Sequence, residues 1–148
     1  MEVIKGTASR VRHSSEVTRN SNDNSTSTTY VSLFFLGPQQ VKIRSNEPSA
    51  INENDIIAVA GKIRGKFFNA YAYKNITCAT EGNEGLWMNI LFGIIAPVVG
   101  LSGYSAFSDP SLGAGPKLIS LAFVTVGLYM LFKATRVLKA IKLLKPYN

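Results

Sequence analysis

The stretch LWMNILFGIIAPVVGLSGYSAF, residues 86–107, constrains this chain most. No charged residue occurs between Glu84 and Asp109. A helix needs about 20 apolar residues to cross the hydrocarbon core of a bilayer. Trp87 near one end and Tyr104 near the other suit the two interfaces, and Asn89 lies close enough to the first to reach water. Pro97 would break or kink a helix in water, but membrane helices tolerate proline where neighbours satisfy the freed carbonyl. The pattern predicts a membrane span over 86–107.

A second apolar run, LISLAFVTVGLYMLF at 118–132, is bounded by Lys117 and Lys133. Alone it is short for a span. A helix that continues through KATRVLKAIKLL, with Lys133 snorkelling toward headgroups, is long enough. Pro116 suits its first turn. SDPSLGAGPK, residues 108–117, reads as the turn between two antiparallel helices, on the extracytoplasmic side. Small residues recur at helical spacing: Gly93, Ala96, Gly100 and Gly103 in the first helix, Ser120, Gly127 and Ala134 in the second. Such seams let backbones approach closely, within one hairpin or between protomers of a homo-oligomer.

The basic charge is concentrated at the end. The whole chain carries +7, and Lys133, Arg136, Lys139, Lys142 and Lys145 stand in a segment without acids. On a helix these cations wind over about half the circumference, while Val137, Leu138, Ile141 and Leu144 occupy most of the rest. This predicts a basic amphipathic helix at the membrane surface, meeting anionic lipid headgroups. Cations just beyond a span mark the cytoplasmic side. The start MEVIKGTASRVRHSS lacks the apolar stretch of a cleavable signal peptide. The expected location is the inner (cytoplasmic) membrane, with both termini cytoplasmic.

Residues 1–80 read differently. VIKGTASRVRH, TYVSLFFLG, QQVKIRS, DIIAVAGKIRG and KFFNAYAYKNIT are short strand-forming segments. SSEVTRNSNDNSTSTT, residues 14–29, is polar without apolar periodicity and predicts a mobile loop between the first two strands. NEPSAINEND is a turn or short helix between the third and fourth. Five short strands left open would expose edges, so a small closed barrel is expected. EGNEG at 81–85 reads as a linker to the first span.

The pattern in residues 1–80 resembles an OB-fold. It is carried by an early Gly6, a hydrophobic second strand, the acidic turn Asn54-Asp55, the central Gly61, the hairpin Gly65 and a last strand ending near Asn75. Joined to membrane helices, the components resemble NfeD-like proteins, but here the barrel comes first and the helices follow. The fold class expected is therefore an N-terminal all-β OB-like barrel, a two-helix transmembrane hairpin and a basic amphipathic C-terminal extension.

A fold of this kind hosts many functions, so function must come from the surface. OB-folds that hold single strands combine cations with aromatic stacking platforms. Lys42 and Arg44 share the outer face of the third strand, and Lys62, Arg64 and Lys66 cluster at the last hairpin. On the fifth strand Phe67, Asn69, Tyr71 and Tyr73 fall on one face at period two, and Phe68, Ala70 and Ala72 on the other. The candidate ligand-binding residues are Lys42, Arg44, Lys62, Arg64, Lys66, Phe67, Tyr71 and Tyr73. Residues 1–84 carry ten Lys/Arg against eight Asp/Glu, a weak basic excess for a nucleic-acid binder.

Catalysis and cofactors find little support. Cys78 is the only cysteine and His13 the only histidine. No metal-ligand spacing, phosphate-cradling glycine loop or paired carboxylates appear. The expectation is a non-enzyme without cofactor: a membrane-anchored module recognising a protein or small anionic ligand. The alternatives are a membrane-tethered binder of single-stranded nucleic acid or nucleotide, and an oligomeric membrane pore or membrane-disrupting effector.

Overall fold

A computed structural model describes residues 1–19, 26–107, 109 and 114–147. Six strands precede two helices: β1 Glu2–Arg19, β2 Thr26–Leu36, β3 Gln39–Ser45, β4 Ile56–Arg64, β5 Phe67–Asn75, β6 Thr80–Asn83, α1 Leu86–Ala106 and α2 Gly115–Leu144. The chain forms two compact units. One comprises Met1–Gly85 with Val137–Asn148, the other Leu86–Arg136.

In the first unit the strand order is β3-β2-β1-β4-β5-β6, and β3 also pairs with β5. That parallel pairing, Val41↔Phe68 through Ile43↔Ala70, closes five strands into the OB-like barrel. The other barrel ladders are antiparallel. Two-residue loops at Gly37-Pro38 and Gly65-Lys66 make the β2–β3 and β4–β5 hairpins. Each has glycine first at positive φ, 58° and 61°, as the twist of a tight hairpin favours. Inward residues alternate as expected: Phe34 and Leu36 on β2, Val41 and Ile43 on β3, Ile57 and Val59 on β4, Phe68 and Ala70 on β5.

A polar lock holds one end of the barrel. Asn75, fully buried, donates through Nδ2 to Asp55 Oδ2 at 2.7 Å and to the Ala50 carbonyl at 2.8 Å. Its Oδ1 accepts from the Thr77 and Cys78 amides at 3.1 and 3.2 Å. Asp55 Oδ2 also accepts from the Asn52 amide at 2.8 Å. Thus the start of β4, the end of β5 and the 50–52 segment are tied by two side chains whose buried polar atoms satisfy one another.

Two expectations change here. The polar 14–29 segment is strand over 14–19 and 26–29, paired from Ser14↔Val31 to Arg19↔Thr26. It lengthens the β1–β2 hairpin into an arm, and residues 20–25 lie outside the described part. The linker at 81–85 is in part a sixth strand: β6 pairs with β5 from Ala72↔Asn83 to Asn75↔Thr80, beyond the end of the β3 pairing. Gly82 is needed there, because a Cβ would overlap the Tyr73 ring.

In the second unit α1 and α2 are both long and apolar enough to cross a membrane. Their exposed positions carry large apolar side chains, among them Leu91, Ile95, Val98, Leu121 and Leu128. The small-residue seam lies inside this hairpin. Gly93 meets Leu131, Gly100 meets Ser120 and Val124, Gly103 meets Ser120, and Gly127 meets Pro97. Ala96 is half-buried and Ala134 buried.

Candidate ligand-binding face

The outer surface of the barrel is set by the same alternation that fills its core. With Val41, Ile43, Phe68 and Ala70 inside, Lys42 and Asn69 must face out. The register then lines up a row that winds round the closed wall, Arg12–Leu33–Lys42–Asn69–Lys62, with Lys42, Asn69 and Lys62 side by side on β3, β5 and β4. One step along lie Ser9, Phe35 and Gln40, with Phe67 opposite Arg64. On the other side Arg44 stands opposite Val31. Lys66 occupies the hairpin turn beside Phe67.

Lys42, Leu33, Phe35, Phe67 and Asn69 are half-buried, whereas Arg12, Arg44, Lys62, Arg64 and Lys66 are exposed. No acidic residue stands at any of these positions. On the outer wall formed by β3, β5 and β4, Lys42, Lys62, Arg64 and Lys66 thus gather on one side of the barrel, while Arg12 lies further round, on β1. Exposed guanidinium and ammonium groups around half-buried rings suit an anion with flat or apolar parts. Arg10 adds to the face, its guanidinium carbon lying 5.6 Å from the centroid of the Phe35 ring.

Of the eight residues expected to bind a ligand, Lys42, Lys62, Arg64, Lys66 and Phe67 come to neighbouring positions on β3, β5, β4 and the β4–β5 turn, with Arg44 two residues along β3 from Lys42. Tyr71 and Tyr73 do not. Between Ala60 and Gly61 the β4–β5 register slips, Ala60 pairing with Ala72 but Gly61 with Ala70. A Cβ at Gly61 would overlap the Asn69 carbonyl and the Ala70 Cα, so glycine permits the bulge. Alternation therefore breaks at Tyr71. Phe68 and Ala70 point inward before it, Tyr73 joins the core after it, and both tyrosines are buried. Burial raises the Tyr73 phenol pKa above 10; a hydrogen bond from the Ala50 backbone opposes this, and the nearby Glu47 charge adds to it. The Tyr71 hydroxyl is buried without a hydrogen-bond partner among the described residues. Sequence reasoning missed Arg10, Arg12, Leu33 and Phe35. β2 read only as a hydrophobic strand, and the register shows that its Leu33 and Phe35 face outward.

The C-terminal cations divide. Arg136 lies over the Phe132 ring at 4.3 Å, Lys133 is half-buried, and Lys139, Lys142 and Lys145 are exposed. The apolar stripe expected to enter lipid is instead largely protein-packed. Val137, Ala140 and Leu144 are buried, Ile141 is half-buried, and Leu138 is 41% exposed. These residues belong to the barrel unit. Its outward-facing Ala58, Ala60 and Ala72 are buried in turn, and Ala72 lines a cleft with Ile141, Leu144 and Lys145. Lys5 on β1 stands 5.8 Å from the Tyr147 ring. The cleft, of about 390 Å³, lies between this helix end and the β5–β6 ribbon.

On the arm, His13 Nδ1 lies 2.9 Å from Ser32 Oγ, and Nε2 lies 3.0 Å from the Ile51 carbonyl. A carbonyl only accepts, so Nε2 carries the proton in the neutral ring. Ser32 then donates to Nδ1, and Ser49 donates to Ser32. The chain of bonds fastens the 49–51 segment to the arm. No known protein family, curated protein or solved structure matches this protein.

Proposed function

We propose that this chain is a membrane-anchored interaction module. In this reading the α1–α2 hairpin crosses the inner membrane, both termini are cytoplasmic, and the barrel recognises a protein or small anionic ligand. The set Lys42, Lys62, Arg64 and Lys66 on neighbouring β3, β5, β4 and the β4–β5 turn carries the reading, because cations gathered on one face attract an anion that a scattered set would not. The exposed Lys139, Lys142 and Lys145 beyond the second span support a cytoplasmic C-terminus and contact with anionic headgroups. The role is binding rather than catalysis, and it needs no cofactor. The small-residue seam faces inward within each hairpin, so any homo-oligomer would form through other surfaces. A pore would need polar groups on a shared lumen. The largely apolar exposed sides of α1 and α2 favour an anchor instead.

A second reading has one observation in its favour. Phe35 and Phe67 are half-buried rings set among cations, the combination that holds single-stranded nucleic acid. One experiment tests both. The full-length protein in detergent is titrated into fluorescein-labelled polyglutamate and into fluorescein-labelled oligothymidylate, and anisotropy is read. Anion binding that Lys42→Glu with Lys62→Glu abolishes supports the face. Preference for polyglutamate supports an acidic protein partner, and preference for oligothymidylate the second reading. Equal binding by the variant refutes both.

A further inference from the structure

The pairing of β1 with β2 is interrupted where the arm leaves the barrel. Ser9 pairs with Phe35 and Arg12 with Leu33, so Arg10 and Val11 together oppose Phe34 alone. This is a bulge of two residues against one. Arg10 adopts φ 53°, a left-handed conformation unusual for a residue with a Cβ. Something must hold it there.

The holder is Glu53. Its Oε2 accepts from the Arg10 amide at 3.0 Å and its Oε1 from the Val11 amide at 2.7 Å. Both amides are turned out of the ladder by the bulge, and one carboxylate takes both in charge-assisted hydrogen bonds. Glu53 is itself anchored. The Asn54 amide donates to the Ala8 carbonyl at 2.9 Å, and the Ala8 amide donates to the Asp55 carbonyl at 2.8 Å. The segment 53–55 thus continues the edge of β4 along β1 up to the bulge. There Val11 turns toward the core and Arg10 turns outward over the Phe35 ring.

We infer that Glu53 is a positioning residue that extends the anion-binding face past the barrel onto the β1–β2 arm, through Arg10 and Arg12. The inference rests on the proposed anion-binding role. Its logic is separate: a carboxylate that touches no ligand raises affinity for an anion by fixing the backbone that carries a cation. Removing a negative charge near a cationic face would, by charge alone, strengthen anion binding. Loss of positioning does the opposite, and this difference in sign makes the idea testable.

The test uses the full-length protein and fluorescein-labelled oligothymidylate as the polyanion, with affinity measured across a salt series. Arg10→Ala is expected to weaken binding several-fold and to flatten the salt slope by about 0.7, the value for one fewer phosphate neutralised on a single strand. Glu53→Gln, near-isosteric and uncharged, is expected to weaken binding by a similar factor. The double variant should bind like Arg10→Ala alone, because the two act through one phosphate-facing cation. Wild-type or tighter binding by Glu53→Gln overturns the inference, as do effects of the two variants that multiply. An Arg10→Ala variant with an unchanged salt slope overturns it even if Glu53→Gln fails to fold. In each case Lys42→Glu with Lys62→Glu still reports on the barrel face. Insensitivity of that variant instead removes the anion-binding role and this inference with it.

Discussion

Asn75 is where one side chain decides whether the barrel closes, and Asn75→Ala measures how much. Four hydrogen bonds go with it: to Asp55, to the Ala50 carbonyl, and from the Thr77 and Cys78 amides. The bond to Asp55 is buried and its removal leaves a carboxylate oxygen short of one partner, a loss of about 1–3 kcal/mol. The other three lie at half-exposed positions where water substitutes in part, at roughly 0.5 kcal/mol each or somewhat more. The sum is about 3 kcal/mol. For a unit near 100 residues this lowers the melting temperature by roughly 10–20 °C. The assay is thermal unfolding of the full-length protein in detergent, following the β signal in far-UV circular dichroism. Asn75→Asp sharpens it. A second carboxylate would stand at the 2.7 Å contact with Asp55, so the variant should be unstable at neutral pH and recover as acid protonates one of the pair. An Asn75→Ala melt within a few degrees of wild type would refute the role given to the lock.

Four further outcomes follow from the same structure. Gly61→Val should prevent barrel closure, since its Cβ has no room beside the Asn69 carbonyl; loss of the β signal in circular dichroism reports it. Gly127→Leu should separate the two helices where Gly127 packs on Pro97; cysteine cross-linking between α1 and α2 should fall while the helical signal in circular dichroism persists. Ala140→Glu places a carboxylate at a fully buried position; it should release the last turns of α2, so that trypsin cuts at Lys139 and Lys142 while the barrel stays intact. Tyr73 titrates above its usual value because the folded state buries it. The folded protein therefore holds this proton where the unfolded chain has lost it. Its contribution is fully present below pH 10 and declines as pH rises through the folded-state value. Tyr73→Phe should remove that alkaline dependence of the melting temperature.

Much of the architecture was legible because two simple patterns carry it. A charge-free run as long as 86–107 has few alternatives to a long apolar helix, and α1 is one. Alternation at Val41, Ile43, Ile57, Val59 and Ile63 has few alternatives to strands. The arm was hidden because Ser, Thr and Asn mark turns as readily as edge strands, and its pairing is set by the register of β1 on β2 rather than by apolar spacing. β6 was hidden because Thr-Glu-Gly-Asn contains almost no strand-forming side chain, and Gly82 is there for the Tyr73 ring. The tyrosines were misplaced by one bulge: period two holds through Ala70 and fails beyond it, and only Gly61 on the neighbouring strand marks where. The stripe at Val137, Ile141 and Leu144 reads alike whether it meets lipid or protein. Ile141 and Leu144 line one cleft with Ala72 and Tyr73 of β5, and nothing in α2 itself points to it. Of the proposed ligand face, the cations were legible from their clusters. The aromatic partner Phe35 was not, because a strand rich in Leu and Phe does not declare which of its sides is core.

The salt dependence of polyanion binding tests the cationic face most directly. Labelled oligothymidylate is titrated with full-length protein over a range of monovalent salt, and log affinity is plotted against log salt. If about four of the face cations meet phosphates, the slope is roughly −3. Lys42→Glu with Lys62→Glu should flatten it by at least about 1.4, since two fewer phosphates are neutralised. An affinity independent of salt, or a slope that the two reversals leave unchanged, would contradict a ligand site on this face.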